Sequence, residues 1–453
     1  MKPLRGSVLP TTCAVAILSS TAYAQEFFRE FGTSRNFEGI GRISATTAAF
    51  EDNGPSVFSH IAPIDDSADE KRYNFRLGEA DFILGAGIGV ELNDNINLSD
   101  SHRLSDIIFR PQLDVEGLWR ISENNRVRFG LGLSYAEYFD HNEFDSDSVL
   151  IAPNSGFAWT VQSGDFSITV RDRVSYQEDP FALPLLSGVA TYPRWENQAG
   201  VQVDWDANEF TRISFGYDRY DLWTRDEQFE SLDRGINTVY LRPSYQISPN
   251  LAVGVNMSAS WVNFREDIQA DALVYMIGPF LTWKCNDRTH VSVEVGYQRG
   301  EFDGSTEVAL FDPVRGELRE TGLRDGDDAG TVYAKIELWH RVAETFRHGL
   351  IASKTIEVGF GSNFYDLYHA EYRADWNVGQ NTTLSPGLFY EFYQTSGAIG
   401  EEAHRMGATL GVQHSFSAHL TLGLDYRFLW KESNVPESDY YQNLALLSLY
   451  YQF

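Results

Sequence analysis

The sequence predicts an all-β fold, a transmembrane antiparallel up-and-down β-barrel of about 18 strands with short periplasmic turns and long extracellular loops. Apolar and polar residues alternate with a period of two through most of the chain, as in strands that have one apolar face. Many of the alternating segments run to a dozen residues or more, long enough to cross a bilayer at a tilt. Short and long connections also alternate, as they do in such barrels.

Residues 1–24 have the features of a secretory signal peptide. Lys2 and Arg5 form a positive start, an apolar run covers residues 8–17, and the small residues of Ala22-Tyr23-Ala24 stand where a signal peptidase reads. We therefore expect cleavage after this tripeptide. A membrane-anchoring helix is disfavoured because the apolar run is too short to span a bilayer.

Residues 25–75 lack the regular alternation. The segment is polar, with scattered phenylalanines and an acidic run over residues 65–70. It is interpreted as a periplasmic lead-in or a partial plug, and plain disorder remains open as the alternative. The transmembrane barrel is then expected over residues 76–453.

The clearest strand covers residues 125–139, where Val127 and Leu131 lie on one face and Arg128 and Gly130 on the other. Strands 4 and 13 have the weakest patterns, so a barrel of 16 strands is the alternative. A soluble β-sandwich or propeller is disfavoured because strands there are usually about five or six residues long. The predicted strands are 78–95, 105–120, 125–139, 149–161, 165–177, 194–206, 209–223, 235–247, 250–264, 270–285, 288–301, 330–343, 346–360, 364–378, 382–394, 402–416, 419–432 and 438–453.

The connections fall into two interleaved sets. Those of one set, such as residues 122–125 and 248–250, are short and polar, and they are expected on the periplasmic side. The longer, often acidic connections are expected outside the cell. They cover residues 96–104, 140–148, 178–193, 224–235, 265–269, 301–330, 359–366, 394–402 and 432–440.

The last strand also predicts a route of assembly. Leu449, Tyr451 and Phe453 share one face with a period of two, which is expected to face lipid, and the strand must pair with the first to remove both edges of the sheet. A terminal aromatic residue after alternating apolar residues is typical of the signal that the β-barrel assembly machinery recognises. We therefore expect these three residues to act as an assembly signal.

Composition excludes several classes of protein. The chain has 36 basic and 64 acidic residues, a net charge of −28, which argues against a nucleic-acid partner. After loss of the signal peptide Cys285 is the only cysteine, so neither an internal disulfide nor a thiolate zinc site can form. No Gly-x-Ser-x-Gly or His-Glu-x-x-His motif is present. We therefore predict no enzyme activity, catalytic residue, metal site or cofactor.

Alternation assigns the polar face of each strand to the lumen. Two interpretations of the basic residues there stay open: they pair with carboxylates across strands and hydrate a wide lumen, or they form an arginine ladder that eases the passage of anions. The second predicts a mild anion preference. The predicted pore-lining residues are Arg110, Arg126, Arg128, Arg171, Arg173, Arg242, Lys335, Arg373, Arg405, Arg427, Glu116, Glu371, Glu391 and Asp425.

One long connection, residues 178–195, is apolar and proline-rich, which would make it prone to aggregation if exposed. We expect it to fold inward as a constriction loop, with Pro180, Phe181, Leu185 and Tyr192 as its narrowing residues. An outer lid packed on other loops is the alternative. Acidic clusters in other loops match no defined calcium loop, although they could bridge to lipopolysaccharide through ions.

The segments LGAGIGVELNDNINLSD, DIIFRPQLDVEGLW and DYYQNLALLSLYYQF resemble the β-barrel porins of Gram-negative bacteria over about residues 75–453. The resemblance implies a channel in the cell outer membrane, with membrane lipid and lipopolysaccharide as surroundings. Passive passage of small hydrophilic solutes is the leading expectation. Some relatives lie in exopolysaccharide-secretion systems, so an exit barrel for polysaccharide is an alternative, as is a structural or adhesive barrel with a blocked lumen.

Overall fold

The computed structural model describes residues 75–153, 155–180, 184–312, 317–359, 361–397 and 400–453. The expected signal peptide and all but the last residue of the expected lead-in lie outside these residues. The described chain begins with a short strand, Phe75–Leu77, that folds back on the start of the first barrel strand. Among the described residues, no helix has both the length and the apolar character needed to cross a membrane.

The fold is a closed antiparallel barrel of 18 strands, which confirms the predicted fold class and the favoured strand number. Each strand pairs with the next along the chain, and the first pairs with the last from Gly85 opposite Gln452 to Asn93 opposite Leu444. The strands are β1 (Ala80–Asn93), β2 (Asp106–Ser122), β3 (Asn125–Ser134 with Glu137–Tyr138), β4 (Leu150–Ile151 with Gly156–Ser163), β5 (Phe166–Gln177), β6 (Arg194–Asn208), β7 (Thr211–Thr224), β8 (Arg234–Ser248), β9 (Leu251–Phe264), β10 (Asp271–Asn286), β11 (Thr289–Asp303), β12 (Ala329–Ala343), β13 (Phe346–Val358), β14 (Phe364–Val378), β15 (Thr382–Thr395), β16 (Glu402–Ser415), β17 (Leu420–Ser433) and β18 (Tyr440–Gln452).

Short turns join the strands at one end of the barrel and long loops join them at the other. Gly164 and Gly379 lie in two of the short turns with φ of 59° and 76°, a left-handed conformation that other residues adopt only with strain. The longest loop, between β11 and β12, carries its own hairpin of Thr306–Asp312 and Glu317–Asp325. A 3₁₀ helix, Glu227–Leu232, follows β7 in another long loop.

The outer face is apolar and carries aromatic residues at two levels. Five exposed tryptophans lie close to the short turns: Trp119, Trp159, Trp205, Trp283 and Trp376. Several exposed tyrosines, among them Tyr297, Tyr368, Tyr390 and Tyr441, lie nearer the long loops. On β14 the two levels, at Tyr368 and Trp376, are eight residues apart, which is about 26 Å along the strand. At the usual tilt this gives a band about 20 Å tall, close to the apolar band of about 25 Å in outer-membrane barrels.

Two strands depart from regular pairing. β4 is interrupted between Ile151 and Gly156, where the Gly132 N–H donates to the Ser155 hydroxyl. The ladder between β12 and β13 ends at Ala334 opposite Lys354, although both strands continue beyond it. β4 and β13 are also the two strands with the weakest alternation in the sequence. Residues that do not face lipid on one side and the lumen on the other need not alternate.

Candidate functional site: the lumen and its inward loop

The loop between β5 and β6, residues 178–193, folds into the barrel. Leu186 and Tyr192 are 0% exposed, and Val189 packs beside them against the inner faces of β7 to β10. Leu185 packs on the other side against a cluster from β14, β15 and β16 that includes Tyr365 and Tyr393. In a ring of 18 strands these two groups are centred six to seven strands apart, on different sides of the lumen. The loop therefore lies across the lumen.

Hydrogen bonds hold the loop at several points. The Tyr393 hydroxyl donates to the Pro184 carbonyl at 3.1 Å, and the Gly188 N–H donates to the Leu98 carbonyl at 2.9 Å. The Ser187 hydroxyl donates to the Ser438 carbonyl at 2.9 Å and accepts from the Lys431 ammonium at 3.0 Å. The loop is thus bonded to β15 and β17 and to the loops that precede β2 and β18.

The structure brings Leu185 and Tyr192 of the expected constriction residues into the lumen. Pro180 is buried at the start of the loop, and Phe181 lies outside the described residues. The Tyr192 ring meets Phe229 edge to face at 4.9 Å between centroids. Burial raises the pKa of the Tyr192 hydroxyl, so this side chain is neutral and acts through packing.

Arg194, at the base of the loop, is a residue that the alternation pattern did not single out. Its guanidinium pairs with Glu196 at 2.7 Å and donates to the Asp179 and Tyr192 carbonyls at 2.9 and 3.2 Å. It also lies 4.8 Å from the centre of the Tyr192 ring. One buried cation therefore joins both ends of the loop. Its position directly after the prolines of the loop was the available sequence signal.

A cluster of charged residues lines the lumen on β14, β15 and β16. His369 contacts Glu391 at 3.1 Å and Glu371 at 3.4 Å, while Arg405 pairs with Glu391 at 2.8 Å. Arg373 pairs with Glu371. The cations and carboxylates alternate across neighbouring strands, so their charges largely compensate each other.

Further pairs follow around the wall. Arg110 pairs with Glu91 at 2.6 Å between β2 and β1, and Lys335 pairs with Glu337 at 3.1 Å. Some contacts join strands that are not neighbours. Arg171 on β5 pairs with the β7 residue Asp218.

Glu294 on β11 gathers residues from three other strands. Arg242 of β8 approaches it at 3.8 Å, and it accepts hydrogen bonds of 2.8 Å from Asn256 of β9 and Tyr333 of β12. The Arg242 guanidinium lies 3.9 Å from the centre of the Phe280 ring. Such contacts between non-neighbouring strands require the inward curvature of the wall.

The remaining expected pore-lining residues lie on the same inner face. Arg126, Arg128, Arg173, Arg427, Glu116 and Asp425 are on strands β2, β3, β5 and β17. Arg173 donates to Gln198, and Arg427 donates to Gln442 at 3.0 Å. Lys431 follows Arg427 by four residues on the same face of β17, and it pairs with Glu401 at 3.2 Å. Most of the inward cations thus have an acidic or amide partner.

The acidic loop clusters serve the loops themselves. Asp325 accepts hydrogen bonds from the Asn363 N–H at 2.8 Å and the Ser396 hydroxyl at 2.5 Å, which ties three long loops together. Asp145 accepts from the Tyr138 N–H at 2.6 Å. Within the described part of the chain, no group of three or more histidine, cysteine or acidic side chains could hold a metal ion.

A closed barrel with an apolar, aromatic-bordered exterior and a charged interior is a transmembrane β-barrel of the bacterial outer membrane, with the architecture of a porin. No protein-family model and no curated protein sequence matches this chain. Solved structures with similar folds include a BenF-like porin from Pseudomonas fluorescens Pf-5, with 11% identity, a TM-score of 0.47 and coverage of 83% of this chain and 100% of that one.

Two others are Pseudomonas aeruginosa OccK1 (OpdK) and Acinetobacter baumannii OccAB3. The first has 12% identity, a TM-score of 0.46 and coverage of 82% of this chain and 99% of that one. The second has 11% identity, a TM-score of 0.46 and coverage of 83% and 100%. These likenesses concern the general architecture alone.

Proposed function

We propose that the protein is a channel for the passive passage of small hydrophilic solutes across the outer membrane. The observation that carries this proposal is the polar, charged inner face of a wall of 18 strands, which is wide enough for an aqueous path beside a loop. The loop of residues 178–193 narrows that path. It sets an upper limit on solute size because it lies across the lumen and is bonded on both sides.

The mild anion preference is a finer part of the proposal. Ten of the fourteen predicted pore-lining residues are basic, but the principal ones are paired, as Arg405 is with Glu391. Paired charges leave only a small net field, so the expected preference is weak. Replacing Arg405→Gln removes one cation and is expected to shift the reversal potential in a salt gradient towards cations. Arg212→Gln, in an exposed pair with Asp206 next to a short turn, is the control.

Planar-bilayer recording of the purified full chain is the test of the channel. Discrete conductance steps and uptake of small sugars by protein-containing liposomes are expected. A silent bilayer with correctly folded protein would refute the open channel and favour a structural barrel with a blocked lumen. Strong cation selectivity would refute the anion preference alone.

Export of a polysaccharide requires the loop of residues 178–193 to leave the lumen, since a glycan chain is far wider than a simple ion. Glycan passage that appears only when this loop is released would therefore favour an exit barrel. Contacts with lipopolysaccharide and with the assembly machinery also remain proposals. The exposure of Leu449, Tyr451 and Phe453, at 39%, 45% and 59%, supports the proposal that they form the assembly signal.

A further inference from the structure

The wall is interrupted between β12 and β13 on the side of the long loops. The ladder ends at Ala334 opposite Lys354, and above this pair Ala329–Tyr333 are paired only with β11. Thr355–Val358 are paired only with β14. Five residues of one edge therefore lack a neighbouring strand among the described residues, a length of about 17 Å at the rise of a strand. We call this interruption the lateral break.

A buried glutamine keeps the end of β13 away from β12. The Gln298 side chain, which is 0% exposed, donates to the Ile356 carbonyl at 2.8 Å and accepts from the Ile356 N–H at 2.9 Å. Gln298 lies on β11, and its two bonds take the place of the backbone hydrogen bonds that β12 would otherwise make with Ile356. Residues 355–358 are all buried in succession instead of alternating, which places the end of β13 on the luminal side of the wall.

The two sides of the lateral break differ in character. On the inside, Tyr333 and Val358 belong to the large apolar cluster that also contains Met276 and the loop residue Leu186. On the outside, Val332 is 59% exposed. The break therefore joins the lipid face to the largest of the apolar clusters in the described part of the lumen.

The lower end of the break lies at the level of the tyrosines that border the apolar band. Tyr297 is the β11 partner of Val332, and Tyr368 is the β14 partner of Lys354. The Lys354 ammonium lies 5.2 Å from the centre of the Tyr368 ring and donates to the Thr331 hydroxyl at 2.5 Å. Asp366 lies two residues before Tyr368, on the same face of β14. Unpaired backbone groups are tolerated at this level because lipid head groups and water can bond to them.

We propose that the lateral break is a portal that admits the hydrocarbon chain of an anionic single-chain amphiphile from the outer leaflet into the apolar cluster. The chain would replace packing between Tyr333 and Val358, and Lys354 would hold the head group at the interface. Apolar chains favour this route because each buried methylene gains about 0.8 kcal/mol. The portal is a second route, separate from the aqueous path for hydrophilic solutes.

Labelling from the lipid phase tests the portal. In a Cys285→Ser background, Val358→Cys and Ile351→Cys each place one thiol at a buried position of β13, where the native residues are 5% and 3% exposed. Ile351 lies opposite Glu337 in the intact ladder and serves as the matched control. With the protein in liposomes and N-dodecylmaleimide in the membrane, we expect Val358→Cys to react at least about tenfold faster. Equal rates would overturn the portal.

A disulfide across the break tests passage of the amphiphile itself. Val332→Cys with Ile356→Cys continues the register of Ala334 and Lys354, and Ile336→Cys with Ala352→Cys crosslinks an existing pair below. The probe is dodecanoate with a diazirine at its chain end. Photolysis is expected to label the apolar cluster in reduced protein and in the oxidised control, and about tenfold less in the oxidised 332–356 variant.

Labelling of the cluster that persists at full yield in the oxidised 332–356 variant would overturn the proposal. If that disulfide does not form, the two single-cysteine rates decide the matter. Neither measurement needs an aqueous path, so a protein without conductance can still show the portal. A conducting protein can likewise fail both tests, which keeps this inference separable from the proposed channel.

Discussion

Replacing Tyr192→Ala should release the inward loop and widen the channel. The Tyr192 side chain is fully buried between the loop and Phe229, and the Arg194 guanidinium lies over its ring. None of these contacts belongs to the backbone ladder of the barrel. The substitution therefore weakens the docking of the loop and leaves the wall intact.

The size of the effect follows from the burial. Truncating a fully buried aromatic side chain to alanine usually costs about 3–5 kcal/mol. Here the lower end is appropriate because Leu186 and Val189 still hold the loop. A loss of about 3 kcal/mol changes the ratio of docked to undocked loop by about two orders of magnitude. An undocked state that is rare in the wild type then becomes frequent enough to record.

Single-channel recording gives the readout. We expect Tyr192→Ala to show larger or noisier conductance levels and faster uptake of sugars by liposomes. Tyr192→Phe should behave as the wild type or dock more tightly, since the buried hydroxyl has no hydrogen-bond partner among the described residues. Tyr217→Ala, on the lipid face, is the control for the loss of an aromatic ring. Wild-type conductance and noise in folded Tyr192→Ala would refute the docked-loop reasoning.

Two further variants test buried charges. Lys431→Met leaves Glu401 buried without its cation, so the free energy of unfolding should fall by about 3–5 kcal/mol. Lys284→Met, in an exposed pair, should change the free energy of unfolding by less than about 1 kcal/mol. Similar unfolding curves in detergent for the two variants would contradict this. Burial raises the pKa of the Glu178 carboxyl. The protonated carboxyl therefore stabilises the folded state at low pH, and this contribution is lost as the pH rises through the pKa of the folded state. Glu178→Gln should therefore be more stable than wild type at alkaline pH and no more stable at acid pH, and a gain that is independent of pH would contradict this.

The predicted wall agrees closely with the structure because its signal is local. A strand between lipid and lumen must alternate, and the expected range 364–378 matches β14, Phe364–Val378. The same rule placed Arg405 and Glu391 on the inner face and Tyr451 on the outer one. It could not state that Arg405 and Glu391 meet, because the register between strands depends on their pairing.

The inward loop was an inference from composition, and its contacts were not accessible to the same reasoning. Three prolines and a run of apolar residues indicate a loop that avoids water, but they do not say which wall it reaches. Tyr393, which donates to the Pro184 carbonyl, is about 210 residues away in the sequence. Arg194 was missed for the same reason, since its role depends on the folded ends of the loop.

By itself, the sequence favoured 18 strands over 16 and determined the two faces of each strand and the ends at which short turns and long loops lie. These follow from a period of two and from strand length, which the chain expresses residue by residue. Only the tertiary structure decided where the loop of residues 178–193 docks, which inward charges pair, and that β13 leaves β12 above Lys354. These features depend on the curvature of the closed barrel and on contacts between distant residues, for which no short segment carries a signal.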